Sequence, residues 1–186
     1  MEHAELQTSL PIEEAARLAL ILALPAMLIF ALPFALGWGL GALLNPFTRV
    51  WTYVIGVPVL AISVPIHEGL HALGFMLFGG APARAIRFGM ALDQGAVYAH
   101  CQVPITARAY RWSTLLPGPL LGVLPGLAGL WFGSGELTLY GILMTISALG
   151  DLIAYWAVKP VPARMRVLDH PEQVGCIVLW EEEAAV

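Results

Sequence analysis

Four long apolar runs with few charges dominate the chain, covering Ala16–Leu44, Trp51–Phe78, Tyr110–Phe132 and Leu137–Val158. A helix needs about 20 such residues to cross the hydrocarbon core of a bilayer, so each run predicts one spanning helix. Trp51, Trp112, Trp131 and Trp156 stand near the ends of these runs, where an amphipathic ring favours the headgroup zone. Pro25, Pro33, Pro58, Pro65, Pro117, Pro119 and Pro125 lie inside the runs and predict kinks or short unwound turns.

The remaining segments are too polar to span. Arg84–Thr106 holds two short apolar-rich stretches, Ala85–Leu92 and Ala96–Val103, separated by Asp93-Gln94-Gly95, a pattern that predicts a β-hairpin. The tail repeats it, with Arg166–Leu168 and Cys176–Trp180 on either side of a polar turn. The expected fold is an α-helical integral membrane protein, residues 1–186 forming one membrane-embedded domain. A short β-hairpin joins the second and third spans, and a short β-rich tail follows the fourth.

Composition agrees with this class. Hydrophobic residues make up 59% of the chain and charged residues 12%, with a mean hydropathy of +0.77. A soluble domain carries about 25% charged residues to hydrate its surface, so lipid must cover much of this one. The net charge of −4 offers no basic field for nucleic acid. Cys101 and Cys176 are too few for a disulfide framework and are read as reduced thiols. Met1–Glu14 is polar and acidic without a basic start, unlike a signal peptide.

The 9 basic residues suggest an orientation. With the N-terminus inside, Arg17, Arg84, Arg87, Arg108, Arg111, Lys159, Arg164 and Arg166 fall on the cytosolic side, and only Arg49 falls outside. Lys and Arg accumulate in short cytoplasmic loops. Both termini, the hairpin and the tail are therefore expected in the cytosol.

The chemistry lies in the second run, at Ser63-Val-Pro-Ile-His67-Glu68-Gly-Leu-His71-Ala. Residues four apart on a helix stand one above the other, so the two imidazoles can grip one Zn²⁺ from the same face. Glu68 sits beside them, placed to take a proton from a metal-activated water. Ionisable groups at bilayer depth each cost roughly 3 kcal/mol, and three within five positions would burden a helix needed only for packing. A catalytic zinc takes a third protein ligand and keeps one position open. Asp151, the acidic residue within the fourth run, is the candidate. It lies seven residues before Val158, as His71 lies seven before Phe78, so both stand about 10 Å below one boundary. Asp169 and His100 are weaker candidates, read as an exposed turn aspartate and an exposed strand histidine. Gly69, Ala72 and Gly74 allow close helix approach around the motif.

These residues resemble the zincin peptidase family of small bacterial membrane proteins, and more distantly the site-two protease class of intramembrane metalloproteases. The similarity runs from about Ala61 onward. It is carried by His67-Glu68-Gly-Leu-His71-Ala, Tyr98-Ala-His100-Cys, Leu116-Pro117-Gly118-Pro119, Gly150-Asp151 and Val167-Leu-Asp169. It implies zinc held by His67, His71 and Asp151, with Glu68 as general base. It also implies hydrolysis of peptide bonds in membrane-associated protein substrates, within the bacterial cytoplasmic membrane. Site-two proteases usually carry asparagine near the third ligand and glycine directly after it. Here Leu152 follows Asp151, and the fourth run has no asparagine. The competing reading is a non-catalytic zinc-binding scaffold or adaptor. A structural zinc is normally closed by four protein ligands, and three are found beside a glutamate in the base position. A metal transporter would repeat ionisable residues along a path through the bilayer, whereas this chain gathers them in one layer.

Overall fold

In the computed structural model, residues 8–91 and 96–179 are described. The apolar runs form helices. α1 spans Ile12–Trp38, α2 Leu40–Leu44 and α3 Val50–Gly79. α4 spans Ala107–Leu115, α5 Leu124–Phe132, α6 Gly135–Ser147 and α7 Leu149–Val158. Ile12–Trp38, Val50–Gly79 and Ala107–Phe132 are long and apolar enough to cross a membrane. The pair α6 and α7 makes a fourth span if its break at Ala148 is bridged.

The first and fourth runs are more broken than the sequence suggested, and the third breaks where its prolines predicted. The first divides at Gly39, whose φ of 89° suits glycine, so the expected single span 16–44 is α1 followed by a separate short α2. In the third, Leu116 interrupts the helix and Gly118–Val123 takes a π-helical turn before α5. Proline at 117 and 119 removes backbone donors there, and the wider turn is one way a helix accommodates that loss. The fourth begins at Gly135, where Ser134 accepts a hydrogen bond from the Leu137 N–H as its N-cap. By contrast, α3 runs on through Pro58 and Pro65.

The chain divides into two compact units. One comprises Met1–Ala16, Glu68–Leu115 and Gly150–Val186, and the other Arg17–His67 and Leu116–Leu149. In the second unit α5 and α6 approach closely. A Cβ added at Gly141 would lie 2.4 Å from the Gly126 backbone, so only glycine permits this spacing. Arg49 pairs with Glu136 at 3.1 Å.

The first unit holds the strands. β1 is Ser9–Leu10, β2 Ile86–Ala91, β3 Ala96–Cys101, β4 Ile105–Thr106, β5 Arg166–Asp169 and β6 Val174–Leu179. β2 and β3 pair antiparallel, with Ile86 opposite Cys101 and Ala91 opposite Ala96. The expected turn at Asp93-Gln94-Gly95, and Trp180 at the end of the tail, lie outside the described residues. The tail strands pair as well, but within a four-stranded sheet of order β1-β6-β5-β4. Two-residue strands at both edges, β1 and β4, extend what the sequence suggested was a simple tail hairpin. This unit's core gathers Phe75, Ile86, Cys101, Ile105, Val158 and Val167.

Candidate metal centre

α3 sets the site. Most of this helix's apolar surface is left uncovered by the rest of the protein, yet Ser63, His67, His71 and Phe75 are all buried. Their spacing of four residues makes one stripe along an otherwise outward-facing apolar helix. His67 is 9% and His71 8% exposed. One candidate ligand atom from each of His67, Glu68 and His71 falls within 4.8 Å of the other two.

His71 is oriented by two neighbours. Its Nδ1 lies 3.0 Å from the carbonyl oxygen of Ser113 on α4. A carbonyl only accepts, so Nδ1 carries the proton and Nε2 is the nitrogen able to bind a metal. Nε2 lies 3.1 Å from Oδ1 of Asp151. That is close to the roughly 3.3 Å edge spanned by two ligands about 2.0 Å from one tetrahedral zinc. Asp151 sits in the first turn of α7, where the helix N-terminus favours a carboxylate. Its side chain is 21% exposed. Gly74 makes the Ser113 contact possible, because a Cβ there would lie 2.6 Å from the Ser113 Cα.

A donor set of two imidazoles and a carboxylate is one that zinc takes, and the carbonyl behind His71 is the outer-shell partner such a ligand needs. The structure thus brings Asp151 to His71. Ser113 was not foreseen, because a backbone carbonyl leaves no mark in a sequence.

The fold corrects the reading of Asp169 and His100. They are not exposed turn and strand residues: their side chains are only 15% and 20% exposed, with His100 Nδ1 3.3 Å from Asp169 Oδ2. The Cys101 N–H donates to Asp169 Oδ2 at 3.2 Å. The Tyr110 hydroxyl lies 3.1 Å from Asp169 Oδ1 and 2.9 Å from the Gly175 carbonyl. Burial pushes Asp169 above the usual carboxylate range, against the opposing effects of His100 and the hydrogen bonds. Asp169 accepts from the Cys101 N–H and from the Tyr110 hydroxyl, which shares its proton with the Gly175 carbonyl. Burial likewise pushes the Cys176 thiol up to about 12 and raises Cys101, so both thiols are held protonated.

This cluster gives a testable result. The folded state holds the Asp169 proton more tightly than the unfolded chain does. Its contribution to stability is therefore full below the ordinary carboxylate range and falls as pH rises through the raised value. Asp169→Asn, which keeps a donor and an acceptor, should flatten that fall in thermal unfolding measured against pH. Asp169→Ala should also remove that fall and should cost most below the ordinary carboxylate range, about 1–3 kcal/mol for the buried partners left unsatisfied.

Residues 60–166 match the model of a family described as "Putative zincin peptidase". The match covers more than half of the chain. The chain belongs to that family. Zincin peptidases imply a zinc cofactor, and among the described residues His67, Glu68 and His71 form a group able to hold a metal. The matched residues also contain Ser113 and Asp151, while Asp169 lies just beyond them. No curated protein and no solved structure matches the chain.

Proposed function

We propose that this zincin peptidase is an intramembrane metalloprotease that hydrolyses peptide bonds of membrane-associated proteins. The observation that carries the reading is the cluster on α3, where the buried His67 and His71 meet the half-buried Glu68, with Asp151 against His71. We assign His67, His71 and Asp151 as the residues that would hold zinc, and Glu68 as the general base. The placement we favour is multi-pass in the bacterial cytoplasmic membrane with both termini cytosolic, supported by the loop arginines.

Zinc bound there would supply a Lewis acid for the scissile carbonyl and acidify the attacking water. The chain's own residues do the rest. The Glu68 carboxylate accepts a proton from that water and passes it to the leaving nitrogen. The Ser113 carbonyl holds the proton of His71 on Nδ1, which leaves Nε2 with its lone pair. Burial of both imidazoles lowers the local dielectric and strengthens these electrostatic contacts. Three protein ligands leave a position open for substrate, which favours catalysis over a structural zinc in a scaffold.

Reconstituting the full chain in vesicles with membrane-anchored peptide substrates tests the proposal. A zinc chelator should abolish cleavage, and added zinc should restore it. Cleavage that survives complete metal removal would contradict the assignment.

A further inference from the structure

On α4, Arg108, Arg111, Trp112 and Leu115 recur at the spacing of one helix face. With Tyr155 of α7 they line a shallow cleft of about 210 Å³. The order along the face runs from charge to aromatic ring to aliphatic chain over about 10 Å, in the direction from the end of the Ala107–Phe132 span into its apolar interior. Arg111 is fixed in place. Its guanidinium donates to the carbonyls of Ala107, Lys159 and Val161 at 3.1, 3.0 and 3.3 Å. Those three bonds use three of its five N–H groups. Among the described residues no carboxylate forms an ion pair with Arg108 or Arg111; the pairs found involve Arg49, His71 and His100. Two cations thus share a cleft at the end of a membrane-spanning candidate, above an apolar floor and, among the described residues, without a carboxylate partner.

We propose that this cleft binds the headgroup of an anionic phospholipid. The phosphate lies against Arg108 and Arg111, Trp112 and Tyr155 flank the glycerol region, and the first methylenes of an acyl chain run along Leu115. A basic pocket between spanning helices is a favourable setting for such a headgroup. A free phosphate would use the arginines alone and gain nothing from Trp112 or Leu115. The inference depends on the chain crossing a membrane and is independent of the peptidase reading.

Native mass spectrometry of the full chain, offered equal amounts of phosphatidylglycerol and phosphatidylcholine, tests it. Bound phosphatidylglycerol should exceed phosphatidylcholine by roughly fivefold per arginine, the ratio that about 1 kcal/mol per basic residue gives. Arg108→Gln should lower that preference about fivefold, and Arg108→Lys should keep most of it. Arg108 is exposed, so its zinc content should be unchanged, which separates this result from failure of the metal site. Equal retention of the two lipids by the wild type would overturn the proposal. So would an undiminished preference in Arg108→Gln, or full displacement of the lipid by excess inorganic phosphate.

Discussion

Glu68→Gln should keep its zinc and lose cleavage by roughly a hundredfold to ten-thousandfold, the range attached to a positioned general base. The substitution preserves volume and shape and removes only the ability to accept a proton. Glu68 lies beside His67 on α3, with its carboxylate within 4.8 Å of the candidate ligand nitrogens of both histidines. A carboxylate at bilayer depth is costly, so its presence on this helix asks for a task. Comparing cleavage rates and metal content of the same preparations checks the result. Zinc retained with activity gone identifies Glu68 as the base, and undiminished cleavage would remove it from that role.

Gly74→Val should weaken zinc binding about tenfold to a hundredfold without touching a ligand. Even the first carbon of the new side chain would stand 2.6 Å from the Ser113 Cα, and that neighbour is backbone that cannot swing aside. α4 must then move away from α3, and the carbonyl that orients His71 moves with it. Overpacking of this kind also costs about 1–3 kcal/mol of stability. Gly69 provides the control, since a Cβ there meets nothing within 4 Å, and Gly69→Ala should leave affinity unchanged. Competition against a chromophoric zinc chelator measures both variants.

Much of the site was legible because helical periodicity is strict. The four-residue step from His67 to His71 needs nothing but α3 to become a shared face, and α3 forms in spite of its two prolines. The approach of Asp151 to His71 was legible by arithmetic, since Asp151 stands seven residues before Val158 as His71 stands seven before Phe78. Partners far apart in sequence were not legible. Tyr110 meets Asp169 across 59 positions, and the strands at the sheet's edges, β1 and β4, are two residues long, too short to show alternation. Asp169 therefore read as a polar turn residue, when a sheet assembled from separated segments buries it. The apolar runs fall on helices, three of them long and apolar enough to cross a membrane and a fourth if α6 and α7 count as one, but not all are continuous. Hydropathy averages over breaks such as Gly39 or Ala148, where the backbone changes and the apolar character does not, whereas Pro117 and Pro119 marked the π-turn at Gly118–Val123.

The assignment stands most directly on who holds the metal. Purified wild-type chain should carry about one zinc by elemental analysis, as a single catalytic site requires. His67→Ala and Asp151→Ala, purified alike, should each fall well below that ratio while remaining folded and monodisperse. Stoichiometric zinc in both variants would contradict the site at its root.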